Sequence, residues 1–316
     1  MRAIVAEGFG DPEVLKLKEM PKPVPGAGEV LVKVEAASVN PLDVQTRRGD
    51  YAEYVSQPFR LGVDVSGTVE AVGDGVEGFA PGDDVFYSTR VLENEGGYAE
   101  YHTERAKIIA KKPTSLSFAE AASMPIAAST AWVCLIERGR LKAGDRVLIL
   151  GGSGGVGLFA VQIAKLTGAY VVTTCRKDAQ GLVNELGADI TLDYKASSSW
   201  EELGERREDG FDVIVDLIGG DAIARSLKLL AAGGRVISIV DQPQPHSLYA
   251  GWEVNAEIHL VFLSPSADRL SRLGSLANRG LLKPRVEQTL PLEQAAEAHR
   301  LIEAGGRTGK IVLVTS

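Results

Sequence analysis

Between residues 146 and 178 the chain reads "RVLILGGSGGVGLFAVQIAKLTGAYVVTTCRKD", an order that few folds accommodate. The apolar run "RVLIL" predicts a buried strand, and Gly152-x-Gly154-x-x-Gly157 then predicts a turn into a helix over 155–167. Phe159, Ile163 and Leu166 recur at i, i+4 and i+7, giving that helix an apolar face, and Gly168 terminates it. A second strand follows at 170–175. Strand, glycine turn, helix and strand make a βαβ unit and imply a parallel sheet. Glycines alone are a weak signal, because such turns are common; the flanking strand and amphipathic helix strengthen it. With so few side chains in the way, the backbone of Gly152, Ser153, Gly154, Gly155, Val156 and Gly157 can close on a pyrophosphate. The helix N-terminus adds a partial charge of about +0.5. The segment therefore predicts dinucleotide binding.

The end of the second strand predicts which dinucleotide. Chains that prefer the unphosphorylated nicotinamide cofactor place Asp or Glu about 20 residues beyond the glycines, to hydrogen-bond the ribose 2′-hydroxyl. Here that place reads Thr173-Thr174-Cys175-Arg176-Lys177. A carboxylate there would repel a 2′-phosphate, whereas Arg176 and Lys177 offer it charge-assisted donors. NADPH is expected over NADH, with Thr174 beside it; the competing reading makes Arg176 and Lys177 solvated surface residues next to Asp178.

The same alternation continues downstream. Strands are expected at 190–194, 212–218, 234–240 and 257–263, with helices at 178–187, 221–232 and 266–279, a rhythm that fits a doubly wound α/β sheet. Such sheets bind ligands at the carboxyl ends of their strands, where Leu217-Ile218-Gly219-Gly220 and Val240-Asp241 fall. Ile218, Val240 and Leu263 are read as either framing the cofactor or filling the core. Residues 1–122 differ: "RAIVAEG", "EVLVKVEAASV", "VSGTVEAVG" and "DVFYST" are short Val-rich runs separated by Gly, Pro and Asp, the mark of a small β barrel or sandwich. At 316 residues the chain suits two domains. The expected division is 1–122 with 281–316 against 123–280. The tail carries the helical "PLEQAAEAHRLIEAGG" and a last strand "KIVLVTS", whose pairing composition does not reveal.

Bulk charge narrows the partners. A net charge of −8 disfavours nucleic-acid or anionic-membrane binding, and no apolar stretch is long enough to span a bilayer. The strand-like start "MRAIVAEG", which carries an acid early, is unlike a secretory leader, so a cytoplasmic location is expected. Cys134 and Cys175 stand in separate apolar segments and read as buried thiols, while "ERRED" at 205–209 reads as a solvated face or loop.

Several of these segments, taken in order, resemble a known family. The β-rich N-terminal half, "LGVDVSGTVEAVGDGVEGFAPGDDV", "AEAASMPIAASTAW", "LKAGDRVLILGGSGGVG" and the closing "GRTGKIVLV" resemble the medium-chain dehydrogenase/reductase superfamily, specifically its zinc-free quinone oxidoreductase, or zeta-crystallin-like, branch. The likeness spans essentially the whole chain. It implies a GroES-like domain completed by the C-terminal tail, a Rossmann domain, an active site in the cleft between them, NADPH as cofactor and a homodimer in which "AEIHLVFL" pairs with its symmetry mate.

Where zinc alcohol dehydrogenases carry a Cys and then a Gly-His-Glu, this chain has Asn40 and Gly62-Val63-Asp64, and the later Cys is missing. His102, His246, His259 and His299 show no ligand spacing, so no metal is expected. Without a Lewis acid, the easier hydride acceptor is a conjugated one, a quinone or an α,β-unsaturated carbonyl. A reductase dedicated to an unsaturated acyl thioester or a pathway enone, and a non-catalytic NADPH-binding protein of the crystallin kind, are the alternatives. From "SVNPLDVQTRRGDY" the resemblance implies that Asn40 and Asp43 line the site, Asn40 as a donor to substrate or carboxamide, and that Tyr51 offers its hydroxyl to the acceptor. Gln45 stands where some relatives have a second tyrosine. Thr130 is implied beside the nicotinamide, Tyr194 near the 2′-phosphate and Lys310 at the cleft rim.

Overall fold

The computed structural model describes residues 1–90, 92–196, 199–205, 210–240, 243, 245 and 248–315. The expectations placed on Asp241, His246 and 206–209 of "ERRED" lie outside the described residues. The chain divides into two compact units, Met1–Ile126 with Ser264–Ser316, and Ala127–Leu263. Among the described residues no helix is long and apolar enough to cross a membrane.

The first unit is built on strands β1 (Arg2–Ala6), β2 (Leu15–Glu19), β3 (Glu29–Val39), β4 (Asp64–Val72), β5 (Asp84–Ser88), β6 (Tyr101–Arg105) and β7 (Ala110–Lys111). The long Val-rich β3 is its axis. One edge of β3 pairs antiparallel with β4; the other is shared end to end by β6, opposite Glu29–Lys33, and by a strand from the chain's far end. Along β3 the consecutive residues Val30, Leu31 and Val32, and again Ala36, Ala37, Ser38 and Val39, are buried, so this strand is covered beyond a simple in-out alternation.

The second unit holds β8 (Arg146–Leu150), β9 (Tyr170–Cys175), β10 (Ile190–Asp193), β11 (Phe211–Asp216), β12 (Leu230–Ser238) and β13 (Glu257–Leu260). All pair in parallel, in the order β10-β9-β8-β11-β12-β13. This is the doubly wound Rossmann order, with the direction of winding reversing between β8 and β11. Val147, Leu148, Ile149, Val171, Val172, Val213, Ile214 and Val215 have almost no exposed surface, as parallel strands covered on both faces require.

The tail returns to the first unit. There β14 (Val286–Pro291) pairs in parallel with β15 (Lys310–Val314), and β15 lies antiparallel to Ala36–Val39 of β3. Two sequence expectations change here. The helix read at 266–279 runs over Ala267–Asn278 and packs with the first unit, not the dinucleotide-binding one: Ser115 Oγ donates to Ala277 O at 3.3 Å, and Gly274 lies against Pro113. Periodicity finds an apolar face but does not say what covers it. The helix read at 221–232 stops at Leu227, and the strand placed at 234–240 starts at Leu230. A register shift in the β11–β12 pairing takes up the helical-looking "LLAAGG".

Candidate functional site

In the second unit the glycine turn sits at the carboxyl end of β8, beside the point where the winding reverses, the position at which such sheets take ligands. The turn is tied to β9. Thr174 O accepts from Gly152 N at 2.8 Å, and Thr174 Oγ1 accepts from Gly151 N at 3.1 Å. Thr174, expected on the cofactor, is buried and serves the turn from behind. Glycine is needed at two positions. A Cβ on Gly152 would stand 2.1 Å from Thr173 Oγ1, and one on Gly157 would stand 2.1 Å from Gly151 O. The helix Gly155–Thr167 opens with Gly154 as its N-cap, and its first N–H to find the cap carbonyl is that of Leu158, 3.0 Å from Gly154 O. The N–H groups of Gly155, Val156 and Gly157 precede it in the first turn, and a Cβ on Gly154 would meet nothing nearer than 3.5 Å. An anion fits this opening: it is uncrowded, it faces backbone donors and it lies on the positive end of a helix. Ser153 is buried within the turn.

Around the turn, Ile218 and Val240 are 53% and 50% exposed, so neither is core. A Cβ on Gly151 would stand 3.0 Å from Ile218 Cγ2 and one on Gly219 3.2 Å from Val240 Cγ2, which places both side chains at the carboxyl edge. Leu263 is partly exposed. The loop after β11 is held by the buried Asp216 carboxylate, which accepts from Ile218 N and Gly219 N at 3.0 Å each and from Ser238 Oγ at 2.7 Å. At the end of β9, Arg176 and the exposed Lys177 follow Cys175, and Tyr194 N donates to Cys175 O at 3.2 Å, bringing the exposed Tyr194 beside them. Thr130 is buried in the helix Pro125–Trp132.

In the first unit, Asn40, Asp43 and Lys310 are brought together with two residues to which the sequence reading assigned no role here, Ser38 and Asp64. Asn40 is the N-cap of the helix Pro41–Arg48, with Pro41 at its first position. Asp43 Oδ2 accepts from Asn40 N at 2.9 Å and its Oδ1 from Gly62 N at 2.8 Å. Asp64 Oδ2 accepts from Ser38 Oγ at 2.8 Å and Asn40 Nδ2 at 2.9 Å, while Oδ1 accepts from Ile126 N at 2.8 Å. Lys310 Nζ donates to Asn40 Oδ1 and lies 3.7 Å from Asp64 Oδ2. Lys310, expected at a rim, is only 5% exposed, because β15 delivers it next to the carboxyl end of β3. The Asn40 amide is likewise engaged within the cluster on both its oxygen and its nitrogen.

Burial pushes Asp43 up to about 6, opposed by its backbone donors Gly62 and Asn40. Burial also raises Asp64 and lowers Lys310, and their mutual attraction opposes both shifts. Tyr51 stands apart from these bonds in a half-buried turn, its hydroxyl raised by burial and then by the charge of Asp50. The signal for the cluster was present in the sequence: a carboxylate inside the apolar "LGVDVSG" and a cation opening "KIVLV" each need a buried partner.

The three described histidines have other tasks. His102 Nδ1 lies 3.0 Å from Tyr87 Oη, His299 Nε2 lies 3.3 Å from Tyr98 Oη, and His259 lies 3.2 Å from Glu257. Among the described residues no three His, Cys, Asp or Glu side chains gather as a metal site. Cys134 and Cys175 are both buried, free thiols.

Residues 26–114 match the family model of the alcohol dehydrogenase GroES-like domain, and residues 186–313 that of the zinc-binding dehydrogenase. The chain is 34% identical to the quinone oxidoreductase of Homo sapiens over 99% of its own length and 98% of that protein's. A crystal structure described as an NAD-dependent alcohol dehydrogenase superimposes with a TM-score of 0.94 at 35% identity, covering 100% of both chains. A mycobacterial structure complexed with NADPH gives 0.89 at 32% identity, again over 100% of both. With the Rossmann strand order and a full-length likeness of this strength, the chain belongs to the medium-chain dehydrogenase/reductase superfamily, in its quinone oxidoreductase branch.

Proposed function

We propose that this chain is an NADPH-dependent reductase that works without zinc and delivers hydride to a quinone or an α,β-unsaturated carbonyl. That it is a nicotinamide-dependent oxidoreductase of a small molecule follows from its relatives. The finer reading rests on one observation: the end of β9 presents Arg176 and Lys177 where NADH-preferring chains present an acid. The turn Gly152–Gly157 holds the pyrophosphate, Ile218 and Val240 flank the cofactor with Leu263, and Arg176, Lys177 and Tyr194 receive the 2′-phosphate. When bound, the nicotinamide supplies a hydride from its C4. The residues of the chain orient it and exclude water; a proton reaches the reduced acceptor from solvent or a nearby hydroxyl, for which Tyr51 and Thr130 are the candidates. Asn40 and Asp43 act as a rigid support, since their polar atoms are engaged by Asp64, Lys310 and backbone N–H groups.

The test is oxidation of NADPH, followed by absorbance, against a panel of quinones, enones and unsaturated thioesters, repeated after chelation and with the bound metal measured. Turnover on quinones or enones that survives chelation, with a lower KM for NADPH than for NADH, is expected. Failure of every acceptor, a stoichiometric zinc essential to turnover, or a preference for NADH refutes it. Turnover confined to thioesters would assign the chain to a dedicated acyl reductase. The proposed assembly is a homodimer through β13, one edge strand of its sheet, where Leu260 is exposed, as is Phe262 just beyond the strand; a monomeric mass by light scattering overturns that part.

A further inference from the structure

The two cations at the end of β9 are not equally open to a ligand. Arg176 does not stand open toward solvent. Its Nε donates to Asp178 Oδ1 at 2.9 Å and its Nη2 to Asp178 Oδ2 at 2.7 Å, a two-pronged pair closed over two residues of chain. Arg176 is 23% exposed and Asp178 69%, so the carboxylate lies on the solvent side of the pair. Lys177, between them, is exposed and makes no ion pair among the described residues. The nearest acid after β9 stands three residues beyond Cys175, in the short 3-10 turn Lys177–Ala179.

We propose that Asp178 is a specificity-determining residue that holds the preference for NADPH down, by neutralising Arg176 and by presenting a negative charge to an incoming 2′-phosphate. This rests on the reading above, that the end of β9 receives the 2′ position of the cofactor. Two consequences follow from the geometry. A phosphate that recruits Arg176 must share its guanidinium with Asp178 or open the pair, so Arg176 gives less than a free arginine would. Lys177, which has no such competitor among the described residues, supplies most of the remaining discrimination. The net charge of Arg176, Lys177 and Asp178 together is +1, against +2 for the cations alone. A site of that kind discriminates weakly and leaves NADH as a usable cofactor.

The experiment is the ratio of dissociation constants, NADH over NADPH, measured by cofactor fluorescence at low and at physiological salt for the wild type, Asp178→Asn, Asp178→Glu and Lys177→Gln. Removing one solvent-exposed charge that faces a phosphate changes affinity by about two- to fivefold. Asp178→Asn should raise the ratio by that factor, and the gain should shrink as salt rises. Asp178→Glu, which restores the charge, should bring the ratio back, and Lys177→Gln should lower it. A ratio that stays the same or falls in Asp178→Asn overturns the inference, because the carboxylate would then be orienting Arg176 for the phosphate instead of opposing it. A wild-type ratio below one that nevertheless rises in Asp178→Asn would sink the NADPH preference while leaving the role of Asp178 standing.

Discussion

Replacing Lys310 by Met removes an ammonium from a place that water barely reaches. Its Nζ lies 3.7 Å from Asp64 Oδ2 and also donates to Asn40 Oδ1. In the variant Asp64 keeps its donors from Ser38, Asn40 and Ile126 but loses its counter-charge. Breaking a buried pair from one side costs about 3–5 kcal/mol, and three retained hydrogen bonds set the expectation at the low end, about 3 kcal/mol at pH 8. The loss depends on pH with a definite sign. Burial already raises Asp64, and without Lys310 it rises further. An acid whose folded value is raised has its stability in full below the unfolded pKa and loses it as pH rises through the folded one. The variant should therefore lie closer to wild type at pH 5 than at pH 8, because Asp64, raised further, takes up its proton as pH falls. Trp132, Trp200 and Trp252 all lie in the second unit, so tryptophan fluorescence would report the wrong half. Urea unfolding followed by circular dichroism, with hydrogen exchange at β3 and β15 amides, reads the first unit directly. Combining the change with Asp64→Asn should recover about 2 kcal/mol as a coupling energy. An equal loss at both pH values, or a coupling under about 0.5 kcal/mol, refutes the reasoning.

Gly157→Ala places a Cβ 2.1 Å from Gly151 O and 2.7 Å from Gly152 Cα, both backbone, so the turn has to open. Calorimetry should show NADPH affinity falling by more than about tenfold with the melting of the first unit unchanged; near-normal binding contradicts the assignment. Burial pulls His102 down to about 4 from 6.5. A base lowered in this way contributes stability above its unfolded pKa and loses it as pH falls through the folded one, about 3 kcal/mol in all. His102→Gln should flatten the fall in stability between 6.5 and 4, measured by urea midpoints across that range; an unchanged slope rules the histidine out. Lys177→Gln should raise the KM for NADPH about five- to tenfold, and steady-state kinetics showing an equal rise for NADH would count against a 2′-phosphate contact.

The second unit was legible because its signals are local. A strand, a glycine turn and a helix are consecutive, and the observed helix Gly155–Thr167 has the expected bounds. Local signals also misled: Leu166 shares the spacing of Phe159 and Ile163 yet is exposed, since a helix lying across a sheet buries its middle more deeply than its last turn. The pairing of β15 with β3 was not legible, because it joins residues nearly the whole chain apart and no pattern in "KIVLV" names its neighbour. The polar cluster of the first unit depends on that pairing. Asn40 and Asp43 could be singled out from their own segment, but their engagement by Lys310 and Asp64 appears only once β3, β4 and β15 are side by side.

The place of β15 also orders the birth of the molecule. During synthesis every strand of the second unit leaves the ribosome before residues 310–314 exist. The edge of β3 at Ala36–Val39 must wait for them. At ~5–20 residues per second that wait is tens of seconds. Over that interval the nascent first half presents an open, apolar ribbon, and a chaperone that shields Ala36–Val39 should raise the yield more than one acting on any later segment.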